Sequence, residues 1–163
     1  MAAEVLMSIG VYGFSEESFF EALQRENVDC FCDVRARRGL RGSQYAFANS
    51  KRLQSRLASL GIAYVHVKEL APSSAVRDAQ HEEDAKQGVA KRSRSELGAV
   101  FKARYIQDNL IDLDAWALLD TTLGGARRPV FFCVEREPKA CHRSLLTNEL
   151  AKQTGIPQEH IIP

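Results

Sequence analysis

The sequence predicts one α/β domain over residues 1–163: a mainly parallel sheet with helices on both faces, in Rossmann-like layers. Two observations predict it. Short apolar runs rich in β-favouring residues alternate along the chain with segments whose apolar residues recur at helical spacing, the order of parallel strands joined by crossover helices. At 163 residues and 45% hydrophobic, the chain is long enough for one full core and short for two.

The first strand is read at residues 5–11, closing on Gly10-Val11-Tyr12-Gly13. Ser15 suits a helix N-cap, Glu16 and Glu17 suit its first turn, and Phe19, Phe20 and Leu23 supply an apolar stripe to about Glu26. A second strand at 28–34 leads through Asp33-Val34-Arg35 into a Gly- and Arg-rich loop at 36–47. Asn49 can cap a second helix carrying Leu53, Leu57 and Leu60, and Gly61 is placed to end it. Residues 62–67 form a third strand, followed by Lys68-Glu69-Leu70. Residues 73–95 are highly charged and lack aromatics, which reads as an insertion or lid, with a helix at 77–87 and a basic turn at 91–94. Helices follow at 96–110, including Phe101 and Tyr105, and at 113–123 before Gly124-Gly125. The run 130–134 is a further buried strand, and a helix opens near Cys141 and runs to Gly155. A short last strand lies at 159–162. The expected order places the first strand centrally between the second and fourth, with the third outside the second.

Composition excludes more than it selects. The formal charge is +1, from 22 basic and 21 acidic residues, so bulk charge names no partner. Its distribution is uneven. Residues 1–34 carry seven acids against Arg25, whereas residues 35–56 carry seven bases and no acid, which suggests a local anionic partner or, equally, a solvated basic face. No stretch approaches about 18 apolar residues, so no membrane span is expected. The N-terminus lacks a signal-peptide pattern, and Cys30, Cys32, Cys133 and Cys141 do not form a secreted disulfide framework. A cytoplasmic protein is expected.

Sheets of this kind bind ligands beyond the carboxyl ends of their strands. There the sequence gathers Tyr12, Asp33, Arg35, His66, Lys68 and Glu135, with Cys141-His142-Arg143 opening the next helix. A helix N-terminus favours negative charge and has unpartnered amides, and both it and nearby cations lower a thiol's pKa. Cys141 is thus a candidate nucleophile, and Glu135 its acid/base partner. Arg35, Arg143, His142 and Arg38 are candidate anion binders, since guanidinium groups grip phosphate or carboxylate with paired hydrogen bonds. Each has a plainer alternative: Cys141 as a small packed hydrophobe, Arg35 and Arg143 as structural ion pairs, His66 as a hydrogen-bonded structural histidine. Tyr105 is a possible lining residue. The spacing Cys-x5-Arg of cysteine phosphatases is absent: Thr147 and Lys139 stand where those arginines would. No Cys-x2-Cys pair exists, so no metal and no cofactor are assigned, although Cys133, Cys141, His142 and His66 could be gathered into a zinc site.

The blocks Ser8-Ile9-Gly10, Asp33-Val34-Arg35 with Phe47, Gly61-Ile62-Ala63-Tyr64-Val65-His66, Cys133-Val134-Glu135 and Cys141-His142-Arg143 occur in one order across nearly the whole chain. In that order they resemble the family known as domain of unknown function 488. The resemblance implies a compact α/β fold and a shared site, and no reaction. Two departures stand out. Val11-Tyr12 replaces the His-Ser frequent in that family, and Leu70-Ala71-Pro72 replaces Leu-Gly-Gly, stiffening that loop.

The reading is therefore a domain that binds an anionic small molecule, a nucleotide or nucleic acid, and acts as a cysteine-dependent hydrolase or transferase. The alternative is a non-catalytic nucleic-acid or protein-binding module using the basic stretch 35–56, where Tyr45 and Phe47 interleave with arginines.

Overall fold

The computed structural model describes residues 2–88 and 96–163. Five parallel strands form one sheet: β1 (Leu6–Ile9), β2 (Cys30–Asp33), β3 (Ala63–His66), β4 (Pro129–Phe132) and β5 (Gln158–Ile161). Their order is β3-β2-β4-β1-β5. β3 does lie outside β2, as expected, but β4 sits between β2 and β1, and β1 is flanked by β4 and β5. The expected placement of β1 beside β2 is corrected accordingly. The physical reason is that Val130, Phe131 and Phe132 are buried on both faces and take the middle of the sheet, where no backbone edge is open.

Register assigns the two faces. Phe31, Val130 and Met7 lie level, as do Asp33, Phe132 and Ile9, and all six point one way. Cys32, Phe131, Ser8 and His160 point the other. Helix α1 (Glu16–Arg25) covers the first face: Phe19 packs edge-on against Phe31 and Phe132. Its start is set by Ser15, whose hydroxyl accepts from the Ser18 amide while Ser18 accepts from the Ser15 amide. Helix α2 (Ser50–Ser59) packs by β3 and buries Leu53 and Leu57. Helix α5 (His142–Thr154) lies on the opposite face against β1, β4 and β5 and ends at Gly155 in the left-handed conformation.

Two elements differ from expectation in detail. Helix α4 (Ala99–Tyr105) passes into a π-helical turn at Ile106–Leu110, and the segment Ala117–Thr122 is also π-helical. Apolar spacing of three and four predicts a helix here but does not distinguish i→i+5 bonding. Helix α3 (Ser74–Gln87), capped by the Ser73 hydroxyl, packs along α4 and buries Val76, Gln80 and Asp84. The expected basic turn at 91–94 lies outside the described residues.

The connection leaving β2 runs outward to β3, while that leaving β4 runs past β1 to β5. The crevice between the carboxyl ends of β2 and β4 is therefore the switch point at which a ligand site is expected. Gly10 sets its depth from the other side. A Cβ there would stand 1.8 Å from the Glu135 carbonyl oxygen, so the chain after β1 is pressed directly against the chain after β4. The Val11 and Tyr12 amides both donate to the Val134 carbonyl at 3.0 Å. Gly10→Ala is expected to lower the unfolding free energy by about 3 kcal/mol through overpacking, read from denaturant midpoints. Gly39→Ala, whose nearest neighbour would be Asn49 Oδ1 at 3.9 Å, is the control that leaves stability nearly unchanged.

Candidate functional site

The residues that the sequence gathers at the carboxyl edge divide into a supporting layer and a cavity wall. Asp33, fully buried, accepts both Nε (2.9 Å) and Nη2 (2.8 Å) of Arg35. Arg35 Nη1 donates to the Ala48 carbonyl at 3.0 Å, and the guanidinium lies over the Phe132 ring. Tyr64 donates its hydroxyl to Asp33 Oδ2 at 2.7 Å and sits 3.5 Å from Arg38 Nη1. His66 Nε2 donates to the Arg35 carbonyl at 2.8 Å. These contacts pin the Arg35 end of the basic loop onto β2 and β3. Arg143 has no exposed surface: Nη1 donates to the Glu135 carbonyl (2.6 Å), Nη2 to that of Arg136 (3.2 Å), and Nε to Ser8 Oγ (3.2 Å). It holds the loop after β4 down onto β1. Tyr12 packs against Tyr45, Lys68 stands exposed in a short 3₁₀ turn, and Tyr105 donates to the Leu70 carbonyl at 2.6 Å.

Beyond this layer opens a cavity of about 610 Å³, within the size range of small-molecule sites. Of the residues singled out from the sequence, Arg35, Glu135, Cys141 and His142 line it. Arg37 and Arg41 of the basic stretch and Cys133 after β4 line it too, and the structure adds Arg77 and His81 from α3 and Phe101 from α4. Arg77 and His81, four apart, share one helix face; that spacing was visible in the sequence, but nothing said where the face would dock. Arg77 Nη2 donates to Ser74 Oγ at 3.3 Å, while its buried Nε has no hydrogen-bond partner among the described residues. Cys133 stood in the sequence within the Cys133-Val134-Glu135 block and among the residues that could be gathered with Cys141, His142 and His66, and the structure brings it to Cys141 and His142.

Cys141 is the residue before α5, in extended backbone, where the helix's first amides and dipole favour negative charge. His142 Nε2 is 3.0 Å from the Val34 carbonyl, which can only accept, so that nitrogen carries hydrogen. Its Nδ1 then faces Cys141 Sγ at 3.7 Å. Burial alone would raise the Cys141 thiol, but a hydrogen bond from Cys133, the charge and hydrogen bond of His142 and the charge of Arg143 outweigh it. The thiol is held well below its ordinary 9.0. Burial would lower His142, yet the Cys141 sulfur, the Glu135 charge and the Val34 carbonyl hold it above its ordinary 6.5. Both shifts favour the charged forms, the Cys141 thiol downward and the His142 ring upward. By contrast, burial and Asp29 push Cys30 up to about 11, and burial raises Cys32 well above 9.0. The donor atoms of Cys133, Cys141 and His142 lie within 4.8 Å of one another.

Residues 15–150 match the profile of the family described as Domain of unknown function DUF488. The chain belongs to that family. The DUF488 match spans Asp33, Arg35, Cys133, Glu135 and Cys141 to Arg143, while Gly10 precedes it. No curated protein and no solved structure matches the chain. Among the described residues, no helix of this DUF488 domain is long and apolar enough to cross a membrane.

Removing the carboxylate at Asp33 strands the buried Arg35 guanidinium. Asp33→Ala is expected to cost about 3–5 kcal/mol of unfolding free energy, measured by chemical denaturation.

Proposed function

We propose that this DUF488 domain binds an anionic ligand, a phosphorylated small molecule or nucleotide, in the cavity and acts on it as a cysteine-dependent hydrolase or transferase. The observation that supports the reading best is the Cys141 sulfur paired with His142 Nδ1 at 3.7 Å on the lining of a cavity that Arg37, Arg41 and Arg77 share. A thiolate is the nucleophilic form of cysteine, and an imidazolium beside it is the acid that a departing group requires. In the reaction, the thiolate attacks an electrophilic acyl or phosphoryl centre and forms a covalent bond to sulfur. The bond to the leaving oxygen breaks, and that oxygen takes the proton from His142 Nδ1. Water or an acceptor alcohol then attacks the sulfur-bound group, neutral His142 accepts its proton, and the thiolate is regenerated. Glu135, on the cavity wall, supports the imidazolium by its charge.

The anion contacts in this reading fall to Arg37, Arg41 and Arg77. Arg35 steadies the loop that carries the first two, and Arg143 steadies the loop before Cys141. A concave site is favoured over an extended nucleic-acid track because the basic stretch is divided among different partners. Arg52 pairs with Glu16 at 2.6 Å, Arg56 lies over Phe20, and Arg35 is held by Asp33.

Alkylation by iodoacetamide, mapped by peptide mass spectrometry against pH, tests this. Cys141 is expected to react with a midpoint well below 9.0 and more slowly when inorganic phosphate is present. Cys30 and Cys32 stay unmodified across the same range, and Arg77→Glu removes the protection by phosphate. An unreactive Cys141, or an ordinary midpoint indifferent to phosphate, would overturn the proposal.

A further inference from the structure

Cys133 has no part in the reaction above beyond a hydrogen bond, yet its position suggests one. We propose that Cys133 and Cys141 are a peroxide-oxidisable dithiol, in which Cys133 resolves a sulfenic acid formed on Cys141. The inference rests on the reading of Cys141 as a thiolate. Its geometric basis is the convergence of the two sulfur atoms, within 4.8 Å of each other and of a His142 ring nitrogen, with Cys141 Sγ 3.7 Å from His142 Nδ1. The thiols flank a single short loop: Cys133 follows β4 directly and Cys141 precedes α5. Both line the same cavity, so an oxidant that reaches one sulfur stands beside the other. Cys30 and Cys32, buried in β2, do not line it.

The chemistry balances with hydrogen peroxide as the named oxidant. The Cys141 thiolate attacks one peroxide oxygen, the O–O bond breaks, and the sulfur is oxidised to sulfenic acid. The departing hydroxide takes the proton of His142 Nδ1 and leaves as water. The Cys133 sulfur then attacks the sulfenic sulfur, an S–S bond forms as the S–O bond breaks, and the Cys133 proton leaves with that oxygen as a second water. One peroxide is reduced and two thiols are oxidised. The product caps the nucleophile reversibly, protecting Cys141 from oxidation to sulfinic acid, which is not reversed by thiols.

The experiment exposes the full chain to dilute hydrogen peroxide and follows the cysteine peptides by mass spectrometry. The expected result is joint loss of the free Cys133 and Cys141 thiols, a linked Cys133–Cys141 peptide, and recovery of both thiols with dithiothreitol. In Cys133→Ser, Cys141 is expected to be trapped as sulfenic acid by dimedone and to proceed to sulfinic acid. A Cys141 that alkylates as a thiolate yet yields sulfinic acid in the unsubstituted protein, with no linked peptide, overturns this inference and leaves the nucleophile standing. A Cys141 that neither alkylates nor oxidises overturns both. The linked peptide is read in the unsubstituted protein, so the outcome does not depend on the folding of the variant.

Discussion

The Arg143 guanidinium, shut away from solvent, reaches under the carboxyl edge of the sheet and ties α5 to two other pieces of chain: Ser8 of β1 and the loop carbonyls of Glu135 and Arg136. A buried cation with unsatisfied donors would be costly, so these acceptors hold one loop geometry rather than several. That geometry brings Gly10 against Glu135 and sets the start of α5 beside the end of β4. Cys133 and Cys141 meet as a result. Arg35 performs the matching task on the β2 side, where Asp33 and the Ala48 carbonyl fix the root of the basic loop. Arg143 thus shapes the cavity from behind, and Arg35 fixes part of its wall, which Arg37, Arg41 and Arg77 share.

Much of this arrangement was legible from residue types and spacing. Alternating apolar runs and helical stripes gave the parallel α/β class, and the strand ends led to the edge where Arg35, Glu135, Cys141 and His142 line one cavity. Which of β1 and β4 stands beside β2 was not legible. β1 and β4 are both buried throughout, so either satisfies the demands of a central strand, and the choice rests on packing between residues more than a hundred positions apart. Nor could Asp33-Val34-Arg35 or Cys141-His142-Arg143 reveal which arginine donors turn inward. Residue type gives the donors, but only the fold gives their acceptors. Arg77 and His81 stood in a charged segment with no apolar period, and their role appears only once α3 lies along α4.

The chemistry of the site follows from competing influences on one sulfur. Desolvation disfavours a thiolate, and an apolar pocket would have left Cys141 as inert as Cys30 and Cys32. Three local features reverse that outcome. Val34 holds the hydrogen on His142 Nε2 and leaves Nδ1 to the sulfur, Cys133 supplies a hydrogen bond, and Arg143 in the first turn of α5 supplies positive charge. All three depend on the same few residues of backbone on either side of the β2–β4 crevice. The site is therefore sensitive to small shifts in that crevice.

The central claim is that Cys141 is ionised in the folded protein. Ultraviolet thiolate absorbance, taken as the difference between the protein and its Cys141→Ser variant across pH, measures this without a substrate or a reagent. The account predicts a thiolate signal already present at neutral pH that disappears only on acidification well below 9.0. A signal that emerges only near 9.0 or above would contradict it, leaving Cys141 as a packed thiol beside an arginine-rich cavity.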